Sequence, residues 1–270
     1  MKLYNKVLYL LVSTAFAGLS GLAHAVPVDL TGWQKDGGGT WTVQSSNDGV
    51  KQSLNSRPTV FFNNKDSQGT ALAGSIEVQT TNDDDFVGFV LGYNEGDLFA
   101  DTADYILVDW KQGTQSGWDA GMAISRVTGS IDAGGTDTSA DAWTHTGNVT
   151  LLERALTLGN TGWEDNTSYL FDIIFTESNI KVLVDNVLQF DVDGSFQNGS
   201  FGFYNFSQPH VLYAGITEED APDPGQGNGQ GPITPDPDPG NGQDPIAVPT
   251  PASLGLLVLG LLGLAVTRRS

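Results

Sequence analysis

From Ser75 onward, apolar residues recur at every second position in short runs separated by Gly, Asn and Asp. Ser75-Ile76-Glu77-Val78-Gln79 alternates, and Tyr169, Phe171, Ile173 and Phe175 share one face of a run whose other face carries Asp172. A period of two is the mark of a strand with one face buried. Ile180 to Val184 and Val187 to Phe190 flank Asp185-Asn186, two residue types that tolerate positive φ, so a tight hairpin is predicted there. Tyr105 to Trp110, Phe201 to Phe206 and Val211 to Ile216 read as further strands. Only Val149 to Leu158 has a pattern that suits a helical turn or two. Many antiparallel strands with no long helix predict an all-β sandwich or jelly roll over residues 26–216.

The pattern breaks at both ends of the chain. Residues 1–25 have a basic start at Lys2 and Lys6, an apolar run from Val7 to Leu22, and the small residues Ala23 and Ala25 around His24. That is the layout of a secretory signal cleaved after Ala25. Residues 217–246 are dense in Pro, Gly, Asp and Gln and have almost nothing to bury, which predicts a solvated, extended linker. Residues 247–270 carry Pro249-Thr250-Pro251, an apolar stretch from Leu254 to Val266, and then Arg268-Arg269. As a helix that stretch would reach only about 20 Å, short of the roughly 30 Å hydrocarbon core of a bilayer. The order of motif, Leu/Gly-rich segment and Arg pair resembles the bacterial PEP-CTERM sorting signal. An exosortase-type enzyme reads that signal while the segment holds the chain transiently in the inner membrane. Thr250 stands where the signal has Glu. A plain tail anchor with positive-inside arginines is the alternative.

Charge and cysteine count narrow the function. With 12 Lys+Arg against 32 Asp+Glu the net charge is −20, so the chain lacks the basic surface that nucleic acid requires. Without Cys there are no disulfides, thiolate nucleophiles or Cys-based metal sites.

Several ordered motifs are similar to the thrombospondin C-terminal domain. Asp83-Asp84-Asp85-Phe86-Val87-Gly88-Phe89 matches its Asp-rich strand entry, and Tyr105-Ile106-Leu107-Val108-Asp109-Trp110-Lys111-Gln112 matches a following strand. The likeness continues through His145-Thr146-Gly147, Gly162-Trp163-Glu164-Asp165 and Tyr169 to Gly199-Ser200-Phe201-Gly202-Phe203 and Phe206-Ser207-Gln208. The resemblance implies a concanavalin A/L-type lectin-like jelly roll, calcium binding, and a role in cell or matrix adhesion. It departs at Asp109, where that strand is apolar, and at Glu164, where the family has Lys.

Asp83, Asp84 and Asp85 repel one another unless a hard cation with many oxygen ligands relieves them, and calcium suits such a site. Asp97, Asp101 and Asp104 on the next link are candidates to complete the shell. No pair of carboxylates, His cluster, Gly-x-Ser-x-Gly elbow or phosphate loop announces catalysis, so no enzyme is expected. His145 is expected to cap or pack a turn, and Trp118, in a Gly-rich link, is the best candidate among six tryptophans for stacking on a sugar. The sequence therefore predicts an exported, calcium-binding, lectin-like adhesion or matrix-organising protein of a bacterial envelope. An exopolysaccharide or surface glycan is the expected partner. A jelly-roll hydrolase and a purely structural biofilm component are the alternatives.

Overall fold

The computed structural model describes residues 26–132 and 139–221. The segments read as a secretory signal and a sorting tail, and most of the linker, lie outside the described residues. Among the described residues no helix is long and apolar enough to cross a membrane.

The described residues open with β1 (Val26–Pro27), a 3-10 turn at Leu30–Gly32, β2 (Gln34–Gly37), β3 (Trp41–Val43), β4 (Val50–Gln52) and β5 (Thr59–Phe62). Four longer strands follow: β6 (Thr70–Val78), β7 (Phe86–Tyr93), β8 (Asp104–Lys111) and β9 (Gly121–Thr128). After α1 (Ser139–Thr144) come β10 (Val149–Arg154), β11 (Ser168–Phe175), β12 (Asn179–Val184), β13 (Val187–Asp193), β14 (Ser200–Phe206) and β15 (Val211–Asp220). They form two antiparallel sheets. One runs β13-β12-β11-β6-β15-β4-β3, with β1 beside β15; the other runs β10-β9-β8-β7-β14-β5-β2.

The alternation along β11 is that of a one-sided strand. Phe171, Ile173 and Phe175 are buried between the sheets, while Leu170 and Asp172 face solvent. On β7 all eight residues are buried, because that sheet is covered on both faces. Val87, Phe89 and Leu91 join the central core with Phe171, Phe201, Phe203 and Tyr213. Phe86, Val90 and Tyr93 join a second apolar layer on the outer face, with Phe62, Leu107, Tyr204 and Phe206, roofed by Leu98, Ile131 and Ala142. Fully burying one such side chain contributes roughly 1.5–3 kcal/mol, so the second layer fixes the links that form the roof.

Two expectations change. Val149 to Arg154 is a strand pairing with β9, and the helix lies earlier, at Ser139–Thr144. A register shift between Leu151 and Glu153 breaks the period of two, so the apolar positions imitate a helical stripe. The last strand runs to Asp220, past residue 216, because Glu218, Glu219 and Asp220 pair with Leu72, Ala71 and Thr70. The hairpin at Asp185-Asn186 forms as expected, with φ of 49° and 63°.

Candidate functional site

The three aspartates stand at the entry to β7, where Gln208 Oε1 accepts the Asp85 backbone N–H at 2.9 Å and Trp163 Nε1 donates to the Asp85 carbonyl at 3.2 Å. One carboxylate oxygen from each of Asp83, Asp84 and Asp85 lies within 4.8 Å of the others. Their surroundings differ sharply. Asp85 is buried and takes the ammonium of the fully buried Lys111 on Oδ1 at 2.6 Å. Asp84 is 41% exposed and lies 3.7 Å from the same ammonium through Oδ1. Its Oδ2 rests against Gly113, where a β-carbon would collide with it. Asp83 accepts from Asn55 Nδ2 at 2.6 Å. Partial burial, with the neighbouring Asp85 charge adding to it, raises the Asp83 carboxyl above the ordinary carboxylate value.

The donor set suits a hard cation: convergent carboxylate oxygens, two of them open to water, and a resident ammonium standing in for a positive charge on the inner side. Asp83 and Asp84 would hold an ion, which would offset the repulsion their charges set up. Asp85 gives Oδ1 to the Lys111 ammonium and stands with the other two as a candidate ligand.

Asp97, Asp101 and Asp104 do not complete this shell. They follow β7, whose eight residues at about 3.3 Å each put roughly 25 Å between its ends. Asp97 Oδ2 caps its own turn by accepting from the Asn94 backbone N–H at 2.8 Å, and burial raises its carboxyl. Asp104 takes Arg126 in a two-pronged pair at 2.7 and 2.6 Å. Asp101 is exposed.

A second polar cluster joins residues that the sequence left apart. His145 Nε2 lies 2.9 Å from Asp109 Oδ2, and its Nδ1 lies 3.0 Å from Ser125 Oγ. All three are buried. The order Asp, His, Ser is that of a hydrolytic triad, but the network is closed: Trp118 lies flat on the imidazole at 3.8 Å, and Arg154 covers the indole at 5.0 Å. Ser125 has no exposed surface. The available signal was Asp109 itself, an acid in an otherwise apolar strand that must find a buried partner.

Trp118 is thus covered on both ring faces and offers no sugar platform. Trp33 and Trp41 stack on core rings, and Trp110 and Trp163 are buried. Trp143 packs edge-on to Phe86 and Phe206 beneath the Lys111 ammonium. Glu164 is exposed, and its backbone N–H donates to the Tyr169 hydroxyl at 2.9 Å.

Two twisted antiparallel sheets in this order, with an acidic strand entry at one end, define a lectin-like jelly roll. The chain belongs to the thrombospondin C-terminal region family, whose model matches residues 36–219. It is 29% identical over 198 residues to thrombospondin-2 of Gallus gallus, covering 66% of this chain and 16% of that protein. It is 27% identical over 198 residues to cartilage oligomeric matrix protein of Bos taurus, covering 65% of this chain and 25% of that one. The chain therefore spans a quarter or less of the length of these relatives. Among solved structures, a carbohydrate binding module (CBM66) from Bacillus subtilis superposes with a TM-score of 0.50 at 12% identity, covering 70% of this chain and 96% of that chain. At that identity the likeness shows the fold alone.

Proposed function

We propose that this protein is an exported, lectin-like binding module that organises extracellular matrix or mediates adhesion, with calcium held at Asp83 and Asp84. The observation that carries the reading is family membership across residues 36–219, joined to the convergent carboxylates at the entry to β7. The sandwich is also the fold of a protein named as a carbohydrate binding module, which makes a surface glycan or exopolysaccharide the first partner to test. Export rests on residues 1–25, and sorting by an exosortase-type enzyme with a transient stay in the inner membrane rests on Pro249, Thr250, Pro251, Arg268 and Arg269.

Binding without catalysis is part of this reading. Its support is the closed state of the Asp109–His145–Ser125 network, which has no open face for a substrate. A glycan array probed with the full chain in calcium and in EDTA tests the proposal. Calcium-dependent capture of a glycan that remains intact is the expected result. Hydrolysis of the captured glycan would replace it with the enzyme reading, and absence of capture with the structural one.

A further inference from the structure

Lys111 is fully buried, and its Nζ lies 2.6 Å from Oδ1 of Asp85, whose side chain is buried as well. Contact at that distance sets the nitrogen within about 3–3.5 Å of the Asp85 carboxyl carbon, the near-attack range for two reacting atoms. A second carboxylate stands beside the pair: Asp84 Oδ1 is 3.7 Å from Nζ, and its side chain is 41% exposed. The rings of Trp143 and Phe86, 4.7 and 5.1 Å from Nζ, close other sides against water. Gln115 Oε1 and the Asp84 backbone carbonyl accept from Nζ at 3.1 and 3.2 Å and fix the nitrogen in place. The pairing of Phe86 with Lys111 across β7 and β8 holds the two side chains in this register.

A lysine, a carboxyl group against it and a second carboxyl to carry protons, all walled by aromatic rings, are the parts needed to join two side chains through an amide. In bulk water the lysine stays protonated and its nitrogen has no free electron pair. A site closed to water withdraws the solvation that keeps both partners charged, and fixed contact replaces the entropy of bringing them together.

We propose that Lys111 and Asp85 condense into an isopeptide bond, with Asp84 as the proton carrier. The proton between Nζ and Oδ1 passes to Asp85, leaving a neutral amine against a carboxylic acid. The Nζ electron pair attacks Cγ and forms the C–N bond. Asp84 takes a proton from the attacking nitrogen and delivers it to the departing oxygen. The C–O bond breaks, and one water leaves past the exposed Asp84 side chain. Of the three ammonium hydrogens, one stays on the amide and two leave in the water, so neither oxidant nor activated group is required. The bond ties the entry of β7 to the end of β8 in a chain that has no cysteine for a disulfide. It forms whether or not calcium occupies the neighbouring aspartates.

The test is mass spectrometry of the unfolded full chain, followed by tryptic mapping. Wild type is expected one water lighter than its sequence requires. Trypsin needs a lysine ammonium, so it leaves residues 111 and 112 joined and yields a single peptide over residues 66–126, also one water lighter. Lys111→Met is expected at the full mass of its sequence. Because that variant strands the buried Asp85, Lys111→Met/Asp85→Asn serves as the control that removes both charges together. It too keeps its full mass, and it melts below wild type because it lacks the tie. Asp84→Asn is expected to leave most of the chain unreacted when wild type is complete, and full reaction in that variant overturns the role given to Asp84. Wild type at full mass and cut after Lys111 overturns the bond and leaves a buried ion pair. Loss of water that maps outside residues 66–126 overturns it equally.

Discussion

The indole of Trp118 lies flat on the imidazole of His145, with ring centroids 3.8 Å apart and planes 26° from parallel. This stack seals the Asp109–His145–Ser125 network, and Arg154 locks it from outside by donating to the carbonyls of Gly159, Asp119 and Ala120. A link that reads as an exposed, glycine-rich loop is therefore pinned to the sheet through its one large side chain.

His145→Ala is expected to destabilise the fold by about 3 kcal/mol, because Asp109 would keep its buried carboxylate without the donor it now has. In a protein of this size that lowers the melting temperature by roughly 6–12 °C. Trp118→Ala is expected to lower stability while leaving glycan capture unchanged, since neither indole face is available to a sugar. Thermal unfolding and the array, run on both variants, check the two outcomes together. Loss of capture with an unchanged melting temperature would place Trp118 in a binding site after all.

Asp172 gives a pH prediction. Partial desolvation on the sheet face, with the Glu219 charge adding to it, raises its carboxyl above the ordinary value. An acid whose folded-state pKa is raised holds its proton more tightly in the folded chain. Its ionised form therefore weakens folding above that pKa, and the penalty fades as pH falls toward the unfolded value. Asp172→Asn should stabilise the protein at pH 7, by less than about 1 kcal/mol because the side chain sits on an exposed sheet face. The gain should vanish near pH 3, below the ordinary aspartate value of about 3.9. Melting temperatures of both chains across that range decide it; a gain independent of pH would assign the effect to something other than ionisation.

The strands that face one core were legible because burial on a single face writes a period of two. β11 and β12 follow that rule residue by residue, and the Asp185-Asn186 turn closes on the pair Val184 and Val187. β10 was not legible, since the irregularity beside Leu152 destroys the period in an edge strand whose middle residues are exposed. The acidic triplet was visible as a cluster of like charges, and the structure brings its carboxylates together. Lys111 as its internal counter-charge was not visible. The partners are 26 positions apart, and their meeting depends on β7 pairing with β8 in a register that sets Phe86 opposite Lys111. The same holds for Asp109 and His145, brought together from 36 positions apart.

The proposed sorting through residues 247–270 yields a prediction of its own. Changing Pro249 and Pro251 to Ala should leave a longer, membrane-associated form, because the processing enzyme would lose its motif while the apolar segment and Arg268-Arg269 remain. Immunoblots of cell fractions report the length and place of both chains. Equal retention of wild type and variant, both uncut, would make the tail a simple anchor.

Calcium should stabilise the folded chain by mass action. A cation that binds only the native state adds RT ln(1 + [L]/Kd), about 1.4 kcal/mol at a tenfold excess over Kd. A melting temperature increase of roughly 3–6 °C is then expected for a domain of this size. Magnesium should add less, since it demands octahedral geometry and gives up its water reluctantly. Asp83→Asn/Asp84→Asn should abolish the response, and it should raise stability in EDTA, because partial burial and the neighbouring Asp85 already disfavour the Asp83 charge. Asp85 is left intact in this variant, since removing it would strand the buried Lys111 ammonium and confuse loss of the ion with loss of the fold. Melting of wild type and the double variant in EDTA, magnesium and calcium provides the measurement. A calcium response that survives the loss of both Asp83 and Asp84 would place the ion elsewhere on the molecule.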